Sequence, residues 1–185
     1  MIVGHTDIMN RDIIKKQNNI KQVFYNFLKC GVTGWCLEVM FTSVESVMAH
    51  DWRMMGRTSL LMFPIYGMGA FLTPVGRMVD QWLAVSPKEV LRPADWIMRH
   101  GMLYMVLIFV TEYLTGAWLK SNGMCPWDYT GRHSNINGLI RLDFAPLWFA
   151  TGLLFEKITT IEEGSFPLFF GNRRSSKEIT KKKDA

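Results

Sequence analysis

Along the chain, apolar and polar stretches alternate in long blocks. Four apolar segments stand out: about Val23–Val47, Ser59–Gly76, Ala94–Leu119 and Asn137–Ile158. Helices of that length reach roughly 27–39 Å at about 1.5 Å per residue, enough to cross a bilayer core. The stretch SLLMFPIYGMGAFLTPVG contains no charge and no polar face at helical spacing. A soluble bundle would show one, so the pattern predicts an all-α, four-helix transmembrane bundle over 23–158. Residues 1–22 form a polar N-terminal tail and residues 159–185 a basic C-terminal one. Comparing GRTSLLMFPIY (Gly56–Tyr66) with GLIRLDFAPLW (Gly138–Trp148) suggests two parallel helical-hairpin repeats.

Charge orients the bundle. Fifteen Lys and Arg lie in the two tails and in the connection between segments two and three; five, Arg53, Arg57, Lys120, Arg132 and Arg141, lie on the other side. The positive-inside rule places both termini in the cytoplasm. The first 22 residues lack the apolar core of a signal peptide. The chain ends KKKDA, and Lys182 and Lys183 stand where a dilysine retrieval signal would. The expected location is the endoplasmic reticulum membrane in a eukaryotic cell and the plasma membrane in a bacterium.

Composition, 49% hydrophobic with a net charge of +5, then narrows the chemistry. The basic residues flank apolar runs, so they read as membrane orientation and not as a nucleic-acid surface. Cys30, Cys36 and Cys125 show no paired spacing, and His50, His100 and His133 no metal spacing. No phosphate-cradling Gly-rich loop is present, so neither ATP hydrolysis nor a cofactor is expected. The expected surroundings are the lipid bilayer and, because four helices enclose little space, a second copy or a partner membrane subunit.

The costly residues define a candidate site. Intramembrane carboxylates normally face a bundle interior. Glu38 and Glu112 fall roughly 13 and 10 Å below the outer end of their helices, Tyr66 about 10 Å, and Arg141 about one turn into the fourth helix. All lie in the outer half of the membrane. Pro64 and Pro146 are expected to break helices there, freeing the carbonyls of Leu60 and Leu142. Between segments three and four runs MCPWDYTG, where Trp127 and Tyr129 suit a membrane–water interface and Asp128 suits pairing with Arg141, Arg57 or Arg132, or a turn beside Pro126. This loop reads as a lid over an outward-facing acidic pocket.

In order, GWCLEVMFTS, PIYGMGA, EYLTG, CPWDYTG and NGLIRLDFAPLWF resemble the motifs of a small membrane family named for ABC-transporter type IV, closest to the animal transmembrane protein 229 group. The resemblance covers about Tyr25–Glu156. It implies importance for Gly34, Glu38, Pro64, Ile65, Tyr66, Gly67, Glu112, Trp127, Asp128, Tyr129, Asn137 and Gly138. Where many bacterial members carry Asn-Arg-Gly before the second helix, this chain reads MMGRTS.

Three functional readings follow: a permease-like transport component binding a cation, a proton or a cationic head group; a membrane-embedded enzyme acting on a lipid by general acid–base chemistry; and a non-catalytic assembly subunit. The charge distribution predicts that tags at both ends stay hidden in intact compartments and become accessible after permeabilisation. One exposed and one hidden end would contradict an even number of crossings.

Overall fold

The computed structural model describes residues 3–83 and 93–161. Lys182 and Lys183 lie outside them. The chain is mostly helical. Helix α1 spans Val3–Met48, α2 Met62–Gly67 and α3 Leu72–Trp82, with a 3-10 turn, Met68–Phe71, joining α2 to α3. Helix α4 spans Pro93–Ser121 and α5 Ala145–Thr160. Between α4 and α5 the strands β1 (Asn135–Ile136) and β2 (Ile140–Arg141) pair antiparallel, Ile136 opposite Ile140, and a 3-10 turn, Leu142–Phe144, leads into α5.

Three expectations need correction. Helix α1 does not begin at the apolar segment. No Pro interrupts Val3–Met48, so once nucleated the helix propagates through the polar tail. The segment 137–158 is not one helix. Gly138 holds φ +71° and Asn137 φ +55°, and these left-handed residues turn the chain into a hairpin before α5 starts. Neither Pro64 nor Pro146 breaks a helix. Pro64 is the third residue of α2 and Pro146 the second of α5. In a first turn the missing N–H has no partner to lose, so proline starts these helices. The two repeat candidates thus share a proline-initiated helix, but their leading glycines differ, since Gly138 alone takes a positive φ.

Helix α4 explains how the bundle meets its surroundings. Met98, Met102, Val106, Val110, Leu114 and Trp118 recur every four residues and all are exposed. On the opposite face His100, Tyr104, Ile108 and Glu112 also recur every four residues, and of these His100, Tyr104 and Glu112 are buried. Apolar side chains point out and polar ones in, the reverse of a water-soluble helix. Among the described residues, one helical stretch, Ala94–Ser121, is long and apolar enough on its own to cross a membrane.

Packing is closest between α1 and α2 and between α4 and α5. The core, Cys30, Ala70, Leu72, Tyr104 and Phe155, joins these pairs at mid-height. Tyr66 reaches α1 because Gly34 has no side chain: a Cβ there would stand 2.1 Å from the Tyr66 Cγ. Gly67 admits Phe27 in the same manner, with a Cβ 2.5 Å from the ring. Substituting Gly34→Ala favours the helix by about 1 kcal/mol in propensity but overpacks this contact, which costs about 1–3 kcal/mol. Thermal unfolding in detergent is expected at a lower midpoint than wild type. A raised midpoint would show that Tyr66 does not pack on α1.

Candidate functional site

One end of the bundle opens into a cavity of about 620 Å³. Its walls come from α1, α2, α4 and α5, and its rim from the connections 49–61 and 122–144. Glu38, Tyr66, Glu112, Trp127, Asp128, Tyr129 and Arg141 all line it. Asn137 does not. Its amide donates to the Tyr113 hydroxyl at 2.9 Å, and its carbonyl accepts from Lys120 Nζ at 3.1 Å, so it braces the hairpin from behind.

Each wall residue is held by local structure. Thr42, one turn beyond Glu38 on α1, clamps the following connection: its hydroxyl accepts from the Arg57 backbone N–H at 2.8 Å and donates to the Arg57 carbonyl at 3.1 Å. That clamp delivers Thr58, whose hydroxyl donates to Glu38 Oε2 at 2.7 Å. Tyr66 lies close by on the same wall. Across the cavity, Glu112 is 9% exposed, with Tyr129 and Trp148 as the polar side chains facing it. Glu112 Oε2 and Trp148 Nε1 are both buried without a hydrogen-bond partner. A buried carboxylate oxygen left open costs a few kcal/mol unless something fills it.

The aromatic loop is built as a cap. Trp127 lies against Gly116 on α4 and donates its indole N–H to the Leu139 carbonyl at 2.9 Å. Tyr129 hydrogen-bonds through its backbone N–H to Gly138 at 2.9 Å and turns its ring edge-on to Phe144 at 5.8 Å. Asp128 forms no ion pair with Arg57, Arg132 or Arg141. Its Oδ1 accepts from the Thr130 hydroxyl and, at 2.9 Å, from the Thr130 backbone N–H. The geometry is an Asx turn, satisfied locally at lower entropic cost than a long arginine. These bonds hold its carboxyl below the usual carboxylate range, the Thr130 hydroxyl contributing most. A side chain at Gly138 would strike both Asp128 and Thr130.

Arg141 is not inside α5 but in β2. It reaches neither Glu38 nor Glu112. It pairs with Asp143, meets Glu45 at 3.6 Å and lies over the Phe144 ring at 4.1 Å. The hairpin places its guanidinium at the rim, where Asp143 is two residues away.

The family model described as Putative ABC-transporter type IV matches residues 25–166. The chain belongs to that family. No solved structure matches it. The span that defines the family opens inside α1 and takes in every residue lining the cavity.

The family span also contains a second polar cluster, at the other end of the bundle, that sequence reasoning did not assemble. His100 Nδ1 lies 2.9 Å from Glu156 Oε1, and His100 Nε2 3.1 Å from Asp80 Oδ2. Arg99 meets Asp80 Oδ1 at 2.8 Å, and the Tyr104 hydroxyl lies 3.1 Å from His100 Nδ1. The Thr73 and Thr159 hydroxyls lie 2.6 Å apart, and Lys29 Nζ donates to the Ile158 carbonyl at 3.3 Å. These contacts tie α1, α3, α4 and α5 together. The four-residue spacing from His100 to Glu112 was the available signal. Asp80 and Glu156 carried none, because each sits at a segment end where a charge reads as solvated. Removing one partner of such a buried network costs about 3–5 kcal/mol. Asp80→Ala, which strands Arg99 and the Nε2 of His100, is expected to lower the unfolding midpoint far more than Val106→Ala on the exposed face; equal effects would mean the cluster is solvated.

Proposed function

We propose that the chain is a four-crossing membrane protein with both termini in the cytoplasm, and that it acts as a permease-like transport component receiving a cation in an outward-open acidic cavity. The open Glu112 oxygen carries this reading. A carboxylate on a helix of that hydropathy is disfavoured by about 2.5–3.5 kcal/mol or more, and a cation that pairs with it offsets the cost. Glu38 supplies a second carboxylate, and Tyr66 and Tyr129 supply ring faces and hydroxyls, a combination suited to a positively charged ligand.

Three further observations agree. The apolar ladder Met98–Trp118 suits lipid contact. The polar ties around His100 close the opposite end, so the arrangement fits an outward-open state whose inner end must release for passage. The family's own description names a transporter type. Leu72 and Phe155 close the cavity floor, and four helices leave little room for a wide path. Passage would therefore use a second copy or a partner subunit. The loop from Trp127 to Tyr129 would act as the lid.

Proteoliposomes test this with methylammonium as a minimal organic cation. The expected result is protein-dependent counterflow that Glu112→Gln reduces by about tenfold or more, the scale of losing one desolvated charge pair. Arg53→Gln, whose guanidinium pairs with Asp51 away from the cavity lining, is expected to leave it unchanged. Absence of flux for methylammonium, sodium and protons alike would overturn the transport reading.

A further inference from the structure

The charges lining the cavity sort by depth once internal pairs are set aside. Glu45 and Arg141 meet each other, and Arg141 also meets Asp143. Asp128 is taken up by Thr130. What remains is Glu38 and Glu112 inside and Arg57 and Arg132 at the rim. Glu112 is buried and Glu38 half-buried, whereas both arginines are exposed. Among the described residues, neither arginine has a carboxylate within ion-pair distance.

Both arginine backbones are nevertheless fixed. Thr42 clamps Arg57 from both sides, and the Arg132 N–H donates to the Tyr129 carbonyl at 3.0 Å while its own carbonyl accepts from the Asn135 side chain. Two free guanidiniums are thus presented on ordered connections above two carboxylates. A ligand that were only a cation would leave both arginines unpaired. One that were only an anion would end against the acids. A ligand bearing both charges, anion outward, satisfies all four.

We propose that the cavity binds an aminoalkyl phosphate, with a primary ammonium between Glu38 and Glu112 and its phosphate between Arg57 and Arg132. This rests on the cation-binding reading above and specifies its ligand. The primary amine follows from Glu112 Oε2, an acceptor without a donor. A quaternary ammonium has no N–H to give it. Arginine is the side chain whose planar fork matches phosphate. Arg57 is clamped through its backbone at Thr42, one helical turn outward of Glu38, so it stands on the rim side of that acid. The cavity, at about 620 Å³, leaves room for a glyceryl group. The same chemistry occurs in a phosphatidylethanolamine head group and in soluble phosphoethanolamine.

The full chain in nanodiscs of equal phosphatidylethanolamine, phosphatidylcholine and phosphatidylglycerol tests the lipid source, with retained lipid read by native mass spectrometry. Nanodiscs of phosphatidylglycerol alone, titrated with O-phosphoethanolamine, phosphocholine or ethanolamine and followed by tryptophan fluorescence, test the soluble one. Preference for the primary-amine phosphate in either arm, by about tenfold over its choline counterpart, supports the proposal, and the arm that responds names the source; a hydrogen bond to a charged group is worth about that. Glu112→Gln is expected to erase the preference while eluting as folded protein. The double variant Arg57→Gln with Arg132→Gln is expected to bind phosphoethanolamine no better than ethanolamine. Ethanolamine binding as tightly as phosphoethanolamine in the wild type would overturn the phosphate assignment and leave the cation reading standing. Equal retention of all three lipids, with no soluble amine bound and Glu112→Gln silent, would overturn both.

Discussion

The carboxylate of Glu112 is the constraint on which the rest depends. It sits on α4, whose far face from Met98 to Trp118 is an uninterrupted apolar ladder. A helix of that kind must turn its acid inward, and something inside must receive it. Tyr129 from the aromatic loop and Trp148 from α5 face it, and Tyr66 from α2 and Glu38 from α1 line the same cavity. That arrangement fixes the rotation of each helix about its axis. Glu112 Oε2 and Trp148 Nε1 nevertheless stand there buried and without a hydrogen-bond partner.

The two ends of the bundle are built on different terms. At the His100 end, acids and bases are matched at 2.8–3.1 Å, Asp80 with Arg99 and His100, and Glu156 with His100. At the cavity end Arg141 pairs with Glu45 and Asp143 at the rim, while Glu38 and Glu112 lie deeper with no arginine on them. Tyr104 links the regions. It reaches His100 at one end of its side chain and packs in the central core with Leu72 and Phe155, which also floor the cavity. A shift of α4 against α5 would therefore act on both ends at once.

Much of the site was legible because membrane helices penalise stray charge. Glu38, Tyr66 and Glu112 stood out in apolar surroundings, and helical rise alone put them at one level. The motif Trp127–Asp128–Tyr129 was visible as an overbuilt loop, but Asp128's local turn and Arg141's place in a β-strand were not. Left-handed residues at Asn137 and Gly138 convert an apparently helical run into a hairpin, and hydrophobicity does not register backbone handedness. Proline at the start of a helix has the same composition as proline in its middle, which hid the true beginnings of α2 and α5. The cluster around His100 escaped notice because its charges sit at segment ends and meet only through tertiary packing.

The central claim, that α4 faces lipid with one side and a polar interior with the other, is tested most directly by labelling from the lipid. The protein would be reconstituted in bilayers containing a lipid whose acyl chain carries a carbene-generating diazirine, and the adducts mapped by peptide mass spectrometry. The account predicts adducts at Met102, Val106, Val110 and Leu114 and none at Tyr104, Ile108 or Glu112. Adducts at Glu112 and its four-residue neighbours, with the Met102–Leu114 face unlabelled, would contradict it.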